Sequence, residues 1–388
     1  MSKRPPLWLA SAAMASFWAA LYTIARWTLL YVLGPVHQDF RFTYVAAEAG
    51  VRYGWASIYD PSTLRELSAG YPAGERVVQG ALAYVNPPLL AWVVAPLTVF
   101  SEPAAFAVFA ALSLGAFCVA WWMAAPYSGL SRATLLMIGI GLWPLLFVLY
   151  FGQPDLLLIA LVAASWWFCT RDRPAASGIA LALALFLKPN VLWLVPVALV
   201  ASGRFRLTAY FAAACSILGA ATVVALGQAG LLAWLHAVQA SQSDPAQVPE
   251  TIVRFFGFGP VTIVLWTIQA AAVLLIAYRD RRPEIVFAAG LLGSAIASIH
   301  FHYWDYTVLI LAAWLVLRTS PPLWHRLWLV AGIIPMQLIS FQASHAALPL
   351  VAPQLVWDAV WIGILLASTF SRTSTVRVGL RTTEPQTG

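Results

Sequence analysis

Charge is scarce in this chain. Asp, Glu, Lys and Arg make up only 10% of its 388 residues, against about 25% in ordinary soluble domains, so a water-soluble reading is excluded. Disorder is excluded too, because 61% of the residues are hydrophobic and mean hydropathy is +0.80, whereas disordered chains have low hydrophobicity. Cysteine is rare: Cys118, Cys169 and Cys215 lie far apart inside apolar runs, without metal-ligand spacing, and read as buried small hydrophobes. There is no Walker loop, dinucleotide-type glycine loop, HExxH or nucleophile elbow. ATP-driven work, redox chemistry and metalloprotease action therefore have no support. No repeat of 20–50 residues and no match between the two halves is visible, which weighs against the many transporters built from paired halves.

Long apolar runs are what the chain does have. A bilayer core of about 30 Å needs roughly 20 residues per helical span, and only helices satisfy their own backbone in lipid without closing a barrel. The fold class expected is an all-α polytopic transmembrane bundle. Thirteen apolar runs occur, at 8–33, 87–100, 104–125, 133–150, 155–170, 175–187, 191–202, 207–227, 259–278, 284–300, 303–318, 326–343 and 354–370. The first begins after Lys3 and Arg4 and is too long for a cleavable signal peptide, so it reads as a retained span.

Basic clusters fall at Lys3/Arg4, Arg132, Arg171/Arg173, Arg204/Arg206, Arg279/Arg281/Arg282, Arg318/Arg326 and Arg372/Arg377/Arg381. Placing all of them on the cytoplasmic side requires an odd number of crossings between loop 34–86 and Arg132. Run 87–100 opens with Pro87-Pro88 and is short, so it reads as interfacial or re-entrant. About twelve spans then remain, with both termini inside, and 15 of the 22 basic residues are cytoplasmic. The net charge of +7 and pI of about 9.5 thus reflect orientation in a membrane, and nucleic acid is not implied. One membrane domain is expected over 1–370, with an external stretch at 34–103, and a disordered cytoplasmic tail over 371–388.

This topology gathers the unusual polar residues on the external face. Asp39 follows the first span in Gln38-Asp39-Phe40; a partly desolvated carboxylate there suits a general base, or a plain helix cap. Lys188, in Lys188-Pro189-Asn190 between two short apolar runs, must face a cavity or an anion, or snorkel to the headgroups. His300, His302 and Asp305 crowd the outer end of a span. Hydrogen bonding or charge stabilisation beside an active site fits them better than metal ligation, and a structural His–Asp pair is the bland alternative. In Gly152-Gln153-Pro154-Asp155, Asp155 could bind a sugar hydroxyl or cap the next span. Arg254 is a further phosphate candidate. Glu48, Asp60, Glu66 and Glu75 are expected to be solvated.

Taken in order, Asp39-Phe40 with Tyr44 and Ala47, Gly54 with Ile58-Tyr59-Asp60, Tyr84-Val85-Asn86-Pro87-Pro88-Leu89, Gly152-Gln153-Pro154-Asp155, Lys188-Pro189 and the His300–Asp305 cluster resemble the membrane glycosyltransferases of the GT-C class. More specifically they resemble glycosyltransferase family 87, the polyprenyl-phosphate-mannose-dependent mannosyltransferases. The resemblance implies a GT-C bundle in the plasma (inner) membrane, with the active site on its external face. It implies inverting transfer of a hexose, mannose by family, from a polyprenyl-phosphate donor to a lipid or glycan hydroxyl, giving an α-glycoside without a nucleotide sugar at the site; no cofactor is expected and no metal ligands are assigned. By the same resemblance Asp39 is the catalytic base, and the family histidine falls on His300 or His302. Many relatives have Ser-Pro-His at that point, where this chain reads Ser298-Ile299-His300. Lys188, His300, His302 and Arg254 would meet the donor phosphate; Gln153, Asp155, Tyr44 and Asp305 would meet sugar or acceptor. The competing reading is a transporter or flippase of lipid-linked sugars. A carrier needs polar residues at both faces or at mid-depth, and the cytoplasmic half of this sequence has few beyond its arginines.

Overall fold

The computed structural model describes residues 5–33, 38–69, 84–243, 250–340 and 348–381. Among these residues all regular structure is helical. Helix α1 (Leu7–Leu33) is followed by α2 (Gln38–Tyr53), a 3₁₀ turn at Trp55–Tyr59, α3 (Pro61–Ser68) and α4 (Pro88–Val94). Then come α5 (Glu102–Ala124), α6 (Gly129–Gly141), α7 (Trp143–Phe151), α8 (Asp155–Cys169), α9 (Pro174–Leu187) and α10 (Leu194–Ala201). The rest are α11 (Phe205–Ser243), α12 (Val253–Phe256), α13 (Pro260–Arg279), α14 (Pro283–Ile296), α15 (Val308–Arg318), α16 (Leu323–Ala331), α17 (Ile333–Ser340) and α18 (Leu348–Arg381). Proline in the first turn marks several starts, including α3, α4, α5, α7, α9, α13 and α14, where its missing N–H costs no helical hydrogen bond.

Among the described residues, five helices are long and apolar enough to cross a membrane: Leu7–Val32, Glu102–Ala124, Phe205–Ser241, Pro260–Arg279 and Leu350–Phe370. Helices α6 and α7, bent by 57° at Leu142, would make a sixth. Others are apolar but short, at 10–17 residues. Several expected runs are therefore interrupted. Run 87–100 is α4 plus a 3₁₀ turn at Ala95–Val99. Run 191–202 opens with a 3₁₀ turn at Pro189–Val191 before α10. Run 284–300 stops at Ile296, and the next helix does not begin until Val308. Helix α18 continues to Arg381, into the segment expected to be a tail. The three cysteines are unpaired and partly, not fully, buried.

The bundle core is built where helices are apolar all round. Helix α14 is buried continuously from Ile285 to Ile296 and packs on α10, α13 and α15. Its approach to α10 depends on Gly290, where a Cβ would lie 2.7 Å from the Val195 Cα; small residues permit such contacts between membrane helices. Helix α8 packs between α5 and α9, and α1 lies along α6 and α7. A second apolar cluster holds α2 against this bundle, with Phe40, Tyr44, Tyr59, Tyr84, Phe106 and Phe109 among its buried members.

Candidate active site

Four chain segments converge at one end of the bundle. The first is the start of α2. Phe40 is fully buried, its ring 5.4 Å from Phe106 and 5.1 Å from Phe109. Arg41 pairs with Glu102 at 3.4 Å in a buried setting, and the Tyr44 hydroxyl donates to the Phe100 carbonyl at 2.7 Å. These contacts fasten α2 and leave Asp39 half-buried in its first turn. In this arrangement Tyr44, expected near the sugar, anchors α2 to the backbone before α5.

The second segment is the turn between α7 and α8. Gly152 adopts a left-handed conformation, φ 73°, and closes α7; glycine enters this region without steric cost. It also touches α2, since a Cβ there would lie 2.4 Å from the Phe40 Cβ. The turn presents Gln153 and Asp155 inward, and the Asp155 side chain makes no cap to α8. Lys188, at the C-terminus of α9, is the third segment, and the loop between α14 and α15 is the fourth.

Lys188 joins them. Its Nζ donates to Gln153 Oε1 at 3.0 Å, to Asp155 Oδ2 at 3.0 Å and to Asp305 Oδ1. The Lys188 side chain is 9% exposed and both aspartates are 0% exposed. An ammonium has three N–H donors, and here each has an acceptor. The charge of Lys188, expected to meet the donor phosphate, is matched by two buried carboxylates.

Because Lys188 only donates, Gln153 must turn its carbonyl oxygen towards it. The Gln153 amide nitrogen is then committed to the other side, where Nε2 donates to Asp39 Oδ2. Desolvation by the surroundings pushes the Asp39 carboxyl above its ordinary value, partly offset by this hydrogen bond and by the charges of His302 and Lys188.

The His300–Asp305 loop is pinned from three directions. Asn190 Nδ2 donates to the His300 carbonyl at 2.6 Å, and Ser298 Oγ donates to the same oxygen at 2.9 Å. The His302 backbone N–H donates to Asp305 Oδ2 at 2.8 Å. The Glu250 N–H donates to the Phe301 carbonyl at 2.7 Å, and the Tyr306 hydroxyl donates to the Glu250 carbonyl at 2.8 Å. His302 Nδ1 lies 3.4 Å from Glu250 Oε2. Burial opposes a charged imidazole, but the Glu250 carboxylate outweighs it and raises His302 above its usual value. His300, edge-on to His302 with ring centroids 4.4 Å apart, is driven by burial and by its neighbour's charge down to about 3.

Asp39, Gln153, Asp155, Lys188, His302 and Asp305 therefore form one connected group, with His300 beside it. Arg254 is on α12, three residues beyond the Glu250–Thr251 segment docked on the histidine loop. Glu250 is the functional candidate that sequence reasoning passed over; its only signal was an acidic residue after Pro249, between Asp244 and Arg254 in a loop outside the apolar runs. Of the carboxylates expected to be solvated, Glu48 is buried and pairs with Arg52 at 2.6 Å. Asp60 caps α3 through the Thr63 N–H at 2.9 Å. Glu75 lies outside the described residues. Among the described residues, no three His, Cys, Asp or Glu side chains are arranged to hold a metal ion.

The family model for glycosyltransferase family 87 matches residues 84–300, 217 of the 388 positions. The chain belongs to glycosyltransferase family 87. The matched segment of this glycosyltransferase contains Gln153, Asp155, Lys188, Glu250 and His300; His302 and Asp305 fall just beyond its end, and Asp39 lies well before its start. No curated protein and no solved structure matches the chain.

Proposed function

We propose that this family 87 protein is an inverting glycosyltransferase that takes a hexose, mannose by family resemblance, from a polyprenyl-phosphate donor. The acceptor is a lipid- or glycan-borne hydroxyl at the external face of the plasma membrane, and the product an α-glycoside. The observation that carries the mechanism is the position of Asp39: a carboxylate raised by desolvation, oriented by Gln153 and backed by a buried Lys–Asp–Asp group.

Asp39 takes the proton of the acceptor hydroxyl as that oxygen bonds to the anomeric carbon. The bond from that carbon to the phosphate oxygen breaks on the opposite face, and its electron pair leaves with polyprenyl phosphate. A phosphate leaving group needs no proton, so one carboxylate suffices, unlike the pair used in glycoside hydrolysis. Negative charge then grows on the phosphate and calls for fixed positive partners. His302, whose hold on its proton the Glu250 carboxylate strengthens, is the better placed histidine, with Arg254 on the adjoining helix α12. Lys188 acts as a positioning residue in this scheme: it sets Gln153, and Gln153 sets Asp39.

The test is transfer from radiolabelled polyprenyl-phosphomannose in membranes carrying the parent or Asp39→Asn. Removing a general base costs about 10²–10⁴-fold, and a loss of that size with normal protein levels is expected. Undiminished transfer by Asp39→Asn would overturn the mechanism; failure of every polyprenyl-phosphate sugar as donor would overturn the donor class.

A further inference from the structure

The end of the bundle opposite the candidate site holds a second set of features that the transfer reaction does not use. Helices α5, α8 and α15 each begin near the site, at Glu102, Asp155 and Val308, and end at this far side. Beyond their last turns a cavity of about 540 Å³ is lined by Arg132, Arg171 and Arg318 together with Trp122, Tyr127 and Trp167. Each guanidinium is laid over an indole: Arg132 on Trp121 at 5.1 Å, Arg171 on Trp167 at 3.5 Å and Arg318 on Trp166 at 4.9 Å. Among the described residues, none of the three forms an ion pair. Arg132 and Arg171 use one amine each on the Trp122 and Trp167 carbonyls, which leaves further N–H groups for a ligand.

Helix C-termini explain part of this charge, because each carries about half a negative charge that a cation offsets. Three helix ends account for roughly half of three full positive charges, and the remainder faces the cavity. A second cavity of about 390 Å³ adjoins it, sharing Tyr127 and Leu317. This one is almost wholly apolar, lined by residues such as Leu135, Ile138, Leu309, Ala313 and Ile333, with Arg326 also on its wall. Both volumes lie in the roughly 300–1,000 Å³ range of small-molecule sites. Backbone strain collects here as well. The three non-glycine residues at positive φ among those described are Tyr127 (69°), Asp172 (51°) and Ser320 (51°). Tyr127 and Ser320 line the basic cavity, and Asp172 follows Arg171.

We propose that this pair of cavities binds one anionic phospholipid, its phosphate among Arg132, Arg171 and Arg318 and an acyl chain in the apolar cavity between α1, α6 and α15. The charge fits phosphate, and basic pockets between membrane helices suit lipid headgroups. The adjoining apolar volume argues for a lipid over a free anion.

The test titrates phosphatidylglycerol into the purified full-length protein in phosphatidylcholine micelles and counts retained phosphatidylglycerol by native mass spectrometry. Each arginine near a lipid surface contributes about five-fold in affinity. Arg132→Gln/Arg171→Gln/Arg318→Gln is therefore expected to lose on the order of 100-fold, and each single variant about five-fold. The charge-matched control Arg206→Gln/Arg279→Gln/Arg281→Gln, at exposed positions elsewhere, is expected to bind as the parent does. If the triple variant fails to fold, the single variants decide. Equal retention by pocket and control variants overturns the proposal, as does displacement of phosphatidylglycerol by inorganic phosphate at equal concentration. Ala313→Phe, which narrows the apolar cavity, is expected to weaken phosphatidylglycerol binding; an unchanged affinity overturns the acyl-chain assignment.

Discussion

Replacing Lys188 by methionine removes the hub of the site while keeping the bulk of its stem. Were Lys188 a snorkelling surface lysine, the loss would be about 0–1 kcal/mol, the worth of an exposed ion pair. The structure argues for a different regime, because the side chain is 9% exposed and its two carboxylate partners are 0% exposed. Removing one member of a buried ionic group leaves uncompensated charge and costs about 3–5 kcal/mol. That difference is large enough to read by thermal unfolding of the purified protein in detergent. A double-mutant cycle sharpens it. Lys188→Met with Asp155→Asn should destabilise less than the sum of the singles, by about 0.5–3 kcal/mol, since the second change removes a charge that the first left unpaired. Activity should fall as well, about 100-fold, because Gln153 is no longer forced to aim its amide at Asp39. A stability loss under 1 kcal/mol, or additive effects of the two substitutions, would refute the buried-hub argument. Normal transfer by a folded Lys188→Met would refute the positioning route through Gln153.

Other expectations follow from the same geometry. Transfer measured as kcat/KM should be bell-shaped in pH. The acid limb comes from Asp39, which must lose its proton and whose carboxyl is raised, so activity falls as pH drops through that raised value. The alkaline limb comes from His302, which must keep its proton and is also raised. Glu250→Gln removes the anion that holds the proton on His302, so the alkaline limb should move to lower pH while the acid limb stays; an unmoved alkaline limb would exclude His302 as its source. Gly152→Ala should cost about 1–2 kcal/mol from the left-handed backbone alone, with more from the clash at Phe40. Its kcat should drop more than its affinity for donor, and a parent-like enzyme would mean that α2 yields freely.

The sequence was informative about single residues and much less so about their partnerships. Scarce charge and thirteen apolar runs led to a helical membrane chain, and Asp39, Gln153, Asp155, Lys188 and Asp305 stood out because ionisable or amide groups are costly beside lipid. That Lys188 meets Asp155 and Asp305, 33 and 117 residues away, depends on how α8, α9 and the α14–α15 loop pack, which no local pattern encodes. For the same reason Lys188 read as a free cation awaiting phosphate. Glu250 escaped because it stands outside any apolar run, where an acidic residue is unremarkable. Run boundaries misled where 3₁₀ turns replace helix, as at Pro189–Val191 and Asp305–Thr307, since hydrophobicity alone does not distinguish a broken segment from a continuous one.

The contact between Gly152 and Phe40 has a consequence for precision. A residue on a segment outside the main spans ordinarily inherits that segment's positional freedom, which makes it a poor carrier of chemistry needing sub-ångström accuracy. Here α2 rests on bare backbone, and no side chain at residue 152 exists whose rotamer could act as a spacer of variable thickness. The separation between the acid's helix and the α7–α8 turn is fixed by covalent geometry and van der Waals radii alone. Asp39 thereby gains the positional tolerance of a core residue although it sits half-buried on a helix outside the main spans.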